Sequence, residues 1–346
     1  MKGNNLATIL ASLQTTLLVL YSTNDGWKLH ESLNNLNPTS VAFDPFIAER
    51  AYCGTFDNGL WKTDDKGQSW RKTSLNISDS NIMSFSVSKV EKTESGFVRL
   101  MVGTEPSLIF TTVDGGDTWT EIDEFNKLPS SSTWSFPPKP HTHHVRWIEP
   151  DVNNEKYIFT AIEAGALIKS LDGGKTWIDR VNDGPYDTHT LRTHKMIPGR
   201  LYSAAGDGYF ESQDYGDSWK RMVNGLGSHT YLASIAINAD NPQNKIVSAS
   251  ANAWSAHSRQ EAESFLYRCT SDKDESWELI TEGLPKSNDT IISIVESHPN
   301  AKDEFFCLNN QGIYHSTDSG SSWEWLEIPW PKENYLQHPW ALAVTK

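Results

Sequence analysis

The chain has 346 residues, 30 basic against 44 acidic side chains, a formal net charge of -14, and 37% hydrophobic content with 14 Trp. That balance excludes a nucleic-acid or anionic-membrane binder, which needs a basic face to replace counterions. The length allows two ordinary domains or one large barrel or propeller, with core enough to need no staples.

In chain order, Ala7–Ser12 and Leu17–Ser22 read as two strands about a turn at Gln14. The run from Leu6 to Tyr21 is apolar, but Ser12, Gln14, Thr15 and Thr16 interrupt it and no small-residue cleavage site follows. It is therefore not read as a signal peptide. No stretch reaches 18 consecutive apolar residues, so no membrane span is expected. Cys53, Cys269 and Cys307 lie far apart without a CxxC partner, which reads as free thiols in a reducing compartment. A cytoplasmic monomer is the expectation.

One string then recurs. Thr63-Asp64-Asp65-Lys66-Gly67-Gln68-Ser69-Trp70 is followed by copies at Thr112–Trp119, Ser170–Trp177, Ser212–Trp219 and Ser316–Trp323, all fitting [ST]-x-D-x-G-x-[ST]-W. Thr270–Trp277 is a sixth copy with Asp274 in place of Gly, and Ser22–Trp27 is a shortened seventh. The Trp of successive copies are on average about 49 residues apart, the size of one four-stranded propeller blade. Before Trp177 the strands read as His144–Glu149, Lys156–Ile162 and Ala166–Ser170, with Thr176–Val181 after it; these are strands A to D of a blade. The same order restarts at Ser40, Ile82, Thr190, Thr230 and Ile291. Trp340–Thr345 is a lone strand A, and the N-terminal strands lack one. The two ends are expected to join as one blade, about 6–33 plus 338–346, which removes exposed sheet edges. The prediction is an all-β, seven-bladed β-propeller, a single domain over 1–346.

The motif is the Asp box, and the chain resembles the Asp-box (BNR-repeat) β-propellers: sialidases, xyloglucanases, sortilin-type receptors and photosystem II assembly-factor propellers. The resemblance spans essentially the whole chain and implies the fold; those relatives perform unrelated functions. The box residues themselves read as structural, with Gly and Asp shaping a tight turn and the Trp pinning it to its own blade.

In the propellers that this chain resembles, the D–A and B–C loops share one face around the central channel, opposite the Asp boxes. On that face, His143, His189, His229 and His338 each stand just before a predicted strand A, with Asp289 at the matching place in another blade. They form a predicted arc that suits one divalent metal ion. A wet channel, or direct binding of an anionic or sugar ligand, is the alternative. Glu163 and Asp207, on B–C loops, are the candidate proton-transfer groups. His144, His257, Arg259, Glu263 and Trp134 are candidate ligand contacts, with Trp134 in a Pro-rich segment that reads as a cover for the channel. Two functions follow. The first is a glycosyl-hydrolase-like enzyme, hydrolase or lyase, acting on a small molecule or glycan. The second is a non-catalytic propeller that binds a protein or ligand for assembly. A plain sialidase fits poorly, because there is no Phe-Arg-Ile-Pro motif and only Arg146, Arg192 and Arg259 are placed to face the cleft.

Overall fold

The computed structural model describes residues 7–73, 81–92, 96–271 and 276–345, the side chains at 91 and 92 excepted. Seven antiparallel sheets follow one another around a ring. Blade 1 runs Pro38–Phe43, Ala51–Thr55, Gly59–Thr63, Arg71–Lys72, and blade 2 runs Asn81–Lys92, Val98–Glu105, Ile109–Thr112, Thr120–Ile122. Blade 4 spans Thr188–Thr193 to Lys220–Arg221, blade 5 Tyr231–Asn238 to Glu278–Ile280, and blade 6 Ile294–Ser297 to Glu324–Trp325.

Blade 7 closes the ring as expected. Its strand A is Pro339–Val344, hydrogen-bonded beside Thr8–Leu13, then Leu17–Thr23 and Gly26–Ser32. The register pairs Ile9 with Val344 and Ala11 with Leu342. Thr8 N donates to Thr345 Oγ1 at 3.0 Å, and Thr15 N to Gln337 Oε1 at 2.9 Å.

Blade 3 departs from the expected four strands. Val145–Pro150, Ile158–Ile162 and Ala166–Ser170 form its sheet, and the expected Thr176–Val181 strand shrinks to one bridge, Lys169 to Ile178. The cause lies in the next two residues. Asp179 turns away to accept from Ser130 N at 2.8 Å and Ser130 Oγ at 2.5 Å, and the Arg180 guanidinium donates to Gly165 O. These bonds hold the Pro-rich segment down and bend the fourth strand off the ladder.

The Asp boxes are self-capped turns. In the third copy Asp172 accepts from Ser170 Oγ at 2.9 Å, Thr176 N at 2.9 Å and Thr176 Oγ1 at 2.7 Å, while Gly174 N donates to Ser170 Oγ at 2.8 Å. The Thr176 hydroxyl, then its amide, hold the Asp172 carboxyl down to about 2. The sixth copy cannot be compared, because Asp274 lies outside the described residues. The shortened seventh is a two-residue hairpin, with Thr23 Oγ1 donating to Gly26 O at 2.8 Å.

The Trp of each copy does something the sequence reading did not anticipate. Besides bonding its own turn, as Trp70 Nε1 does to Gly67 O at 3.1 Å, it enters the apolar seam with the blade before. Trp70 packs with Leu17, Val19 and Ala51 between blades 7 and 1, and Trp119 with Tyr52 and Val98 between blades 1 and 2. Trp177 lies between blades 2 and 3, Trp219 between 3 and 4, Trp277 between 4 and 5, Trp323 between 5 and 6, and Trp27 between 6 and 7. The core is thus seven seams, each wedged by one repeat Trp.

Candidate functional site

The channel mouth is built on a feature of strand A. In six blades the A–B ladder skips one residue near its start, a β-bulge: Thr39, Met83, Arg146, His189, Ala233 and Trp340 are the unpaired residues. A bulge redirects its side chain, and these positions are the structural equivalents around the ring. The predicted His arc is therefore out of register. His189 is a bulge residue, whereas His143, His229 and His338 precede their bulges by three, four and two residues.

The four rings accordingly have different surroundings. His143 Nδ1 lies 2.8 Å from Ser107 Oγ, with its ring edge-on to Trp134. His229 stacks on Phe265 at 4.0 Å and bonds Tyr267 Oη at 2.6 Å. His338 Nε2 meets His257 Nδ1 at 2.7 Å. Among the described residues, the potential metal ligands that come together as three or more are Glu163, Asp187 and His189, not the four His. Asp289 is exposed in a left-handed turn five residues ahead of its strand, which begins at Ile294 rather than Ile291.

Glu163 and His144 form the centre of a charged group. His144 is buried, with Nε2 2.7 Å from Glu163 Oε2 and Nδ1 3.5 Å from Glu105 Oε2. Burial opposes protonation of the ring, but its hydrogen bonds to the Glu105 and Glu163 carboxylates win and raise its pKa. Arg146 Nε adds a contact to Glu163 Oε2 at 3.3 Å, and Lys139 Nζ reaches Glu105 Oε1 at 3.1 Å. Glu163 is held well below the usual carboxylate range: burial raises it, and His144, His189 and Arg146 more than reverse that. A carboxylate so held is a poor general acid.

Asp187 and Tyr231, which the sequence reading missed, connect this group to the remaining histidines. Asp187 Oδ1 accepts from Ala164 N at 2.8 Å, and Oδ2 lies 3.6 Å from His189 Nε2. Burial, and then the charge of Glu163, push Asp187 upward. Tyr231 Oη lies 3.4 Å from His189 Nε2 and 2.9 Å from His257 Nε2. A polar chain thus runs Glu105, His144, Glu163, Asp187, His189, Tyr231, His257, His338 through blades 2, 3, 4, 5 and 7. Asp207 stands apart as a loop clamp, accepting from Tyr186 N at 3.2 Å and Asp187 N at 3.3 Å. Its catalytic assignment gains no partner from the structure.

The candidate ligand contacts also divide. Trp134 is 6% exposed, bonded through Nε1 to Ser130 Oγ at 3.0 Å and packed near Phe125, so it belongs to the seam between blades 2 and 3 rather than to a ligand surface. Phe136 covers the buried His144 ring at 4.8 Å. Arg259 is exposed and forms no ion pair among the described residues, and Glu263 is half-buried on the His229 side. Trp254 is an exposed aromatic on the mouth, 61% exposed on the short helix Ala253–His257. Tyr186, Tyr335 and Leu336 are exposed on D–A loops of the same face.

His257 and His338 make the mouth sensitive to acid. His257 has an open edge, but the crowd of atoms around its ring nitrogens, then the His338 ring, hold its pKa well below its ordinary value. Burial holds His338 down to about 4, and His338 Nδ1 is buried without a partner. The unfolded chain therefore binds more protons between pH 6.5 and 4, so stability is full above 6.5 and falls across that window. Thermal unfolding should lose on the order of 2 kcal/mol there. His338→Gln should flatten that slope, and equal slopes in the two proteins would contradict the assignment. Asp172 contributes lower down, because its stabilisation persists above its unfolded value near 4 and is lost as pH falls toward 2.

Comparison with known proteins bears on which use these groups serve. The chain is 25% identical over 195 residues to the photosystem II assembly lipoprotein Ycf48 of Synechococcus sp. (strain CC9902), a match covering 53% of this chain and 48% of that protein. It thus spans about half the length of that curated relative. An ancestral GH74 enzyme superposes with TM-score 0.63 at 16% identity, over 85% of this chain and 39% of that one. A structure of YCF48 bound to D1 peptide superposes with TM-score 0.55 at 19% identity, over 95% and 88%. At these identities the two structures establish the propeller fold alone. The expectation of a cytoplasmic protein is overturned by the Synechococcus relative, which is a lipoprotein. No helix among the described residues is long and apolar enough to cross a membrane. The enzyme reading gains nothing from the sequence relatives, and the assembly reading does. A sequence model of the photosynthesis system II assembly factor YCF48 matches residues 21–324, and the chain belongs to that family.

Proposed function

We propose that the chain is a non-catalytic assembly propeller whose channel mouth receives a peptide segment of a partner protein. The observation that carries this reading is the family match over residues 21–324. The state of the candidate catalytic groups supports it. Glu163 is tied to His144 and Arg146, and Asp207 to two backbone amides. No free acid–base pair remains between these two for glycoside cleavage. Trp254 and Arg259, exposed on one loop, with Tyr335 and Leu336 exposed on another loop of the same face, offer the aromatic and cationic anchors that peptide-binding surfaces use. The family's lipoprotein relative supports a partner presented at a membrane surface.

The D1 peptide of the YCF48 complex is the probe. Titration should give saturable binding, and Trp254→Ala should weaken it by roughly 5- to 30-fold, the range for a buried aromatic anchor. An Asp-box substitution on the opposite face, Asp214→Ala, should leave the affinity unchanged. Failure to bind, or affinity indifferent to Trp254, counts against the proposal. Hydrolysis of xyloglucan oligosaccharides, abolished by Glu163→Gln, would restore the enzyme reading.

A further inference from the structure

We infer that Glu163, Asp187 and His189 form a binding site for one first-row divalent metal ion at the junction of blades 3 and 4. Their ligand atoms all lie within 4.8 Å of one another. The three come from different elements: Glu163 from the B–C turn of blade 3, Asp187 from the loop entering blade 4, and His189 from the bulge of that blade's strand A.

The tautomer of His189 is the key to the argument. Nδ1 lies 2.7 Å from the Leu232 carbonyl, which can only accept, so Nδ1 carries the proton. In the neutral ring Nε2 then holds a lone pair. That atom belongs to a side chain 97% buried, and it faces Asp187 Oδ2 at 3.6 Å. With the ring neutral and Asp187 ionised, neither atom donates to the other; with the ring protonated the two form an ion pair that a bound cation would replace. The nearest hydroxyl, Tyr231 Oη at 3.4 Å, sits closer to His257 Nε2, at 2.9 Å. In that neutral state two electron-rich atoms face each other in a buried site, with only the long Tyr231 contact on Nε2.

The spacing suits a shared cation. Tetrahedral bonds of about 2.1 Å place two donors about 3.4 Å apart. The Nε2–Oδ2 distance already lies near that value, and a Glu163 carboxylate oxygen lies within 4.8 Å of both. Both polar contacts of Glu163 fall on Oε2, from His144 and Arg146, which leaves Oε1 without a partner among the described residues. The Leu232 carbonyl behind His189 and the Ala164 amide behind Asp187 are the outer partners that orient ligands in metal sites. One imidazole with two carboxylates selects zinc or manganese(II) over calcium or magnesium.

Gly206 provides space for this arrangement. A methyl group built there overlaps Asp187 Oδ2, so any larger residue drives the carboxylate off its position.

The test uses tag-free full-length protein, stripped with chelator and titrated calorimetrically with zinc or manganese(II). One equivalent should bind and raise the melting temperature. His189→Asn keeps an amide donor for the Leu232 carbonyl but removes Nε2. Asp187→Asn keeps an acceptor for the Ala164 amide but removes the charge. Each should weaken binding by about tenfold or more. Gly206→Ala should do the same without replacing a ligand, by displacing the Asp187 carboxylate, and serves if either substitution fails to fold. No saturable binding at millimolar metal, or binding unchanged in all three variants, overturns the inference. Peptide affinity is not the readout, so this outcome is distinct from failure of the peptide-binding proposal.

Discussion

Deleting residues 337–346 is expected to abolish soluble, folded protein. The segment supplies strand A of blade 7, whose partner is the first strand of the described chain. Its loss exposes the full edge of Thr8–Leu13, a strand whose every residue is buried, and leaves a gap facing blade 6. Leu342 and Val344 leave the seam that they share with Phe306 and Leu308. Their burial contributes about 1.5–3 kcal/mol each, against a total stability of about 5–15 kcal/mol for a folded domain. The unpaired hydrophobic edge then templates aggregation. The expected readout is insoluble expression, and solubility recovered by adding a peptide of residues 337–346 would identify ring closure as the cause. A soluble truncated protein with wild-type melting would show that the closing strand is dispensable.

The closure was legible in the sequence because it follows from counting. Six complete A-to-D units leave one strand over at one end and three at the other, and a propeller with open edges is unstable. The role of the Trp was less legible. A repeat at blade spacing shows that Trp70 and its counterparts do the same job in each blade, but it cannot show on which side. Both faces of a blade meet a neighbour, and one sequence period fits either choice. The fourth strand of blade 3 was misread for a related reason. Residues 176–181 have the pattern of a strand, and only the tertiary bonds from Asp179 to Ser130 and from Arg180 to Gly165 remove it from the ladder.

The site was half legible. Loop class placed Glu163, His144, His189, His257 and His338 on one face, and the structure links all five in one polar chain. The finer alignment failed at the bulge. A bulge adds one residue without changing composition, so His143-His144-Val145 and His189-Thr190-Leu191 look equivalent, although Arg146 is the structural counterpart of His189. Asp187 was overlooked for the same reason. Its place two residues ahead of His189 becomes significant only when His189 is recognised as the bulge. Trp134 was assigned to a ligand surface because its Pro-rich segment reads as a cover for the channel, but here two 3-10 turns, Glu124–Lys127 and Pro129–Thr133, fold it into a seam.

Gly283→Ala should be the most damaging glycine-to-alanine change among the described residues, costing about 3–5 kcal/mol. Two effects combine there. Gly283 has φ +76, in the left-handed region where a side chain costs roughly 1–2 kcal/mol. A methyl group at that position also overlaps the carbonyl oxygen of Trp323, a backbone atom of the next blade's Asp box. That atom cannot move freely, because Trp323 N donates to Glu282 O at 3.1 Å and the Trp323 side chain wedges the seam between blades 5 and 6. Relief of the overlap must therefore break the inter-blade hydrogen bond or lift the wedge. Gly225 repeats the arrangement one blade earlier, against the carbonyl oxygen of Trp277, whose amide donates to Asn224 O at 2.9 Å. Gly227 is the control, with φ +59 and nothing within 4 Å of a built methyl group, so Gly227→Ala pays only the backbone term. Denaturant unfolding of the three variants should rank Gly283→Ala and Gly225→Ala well below Gly227→Ala. Three equal losses would mean that the left-handed backbone alone sets the cost and that the Asp-box Trp does not lock adjacent blades together.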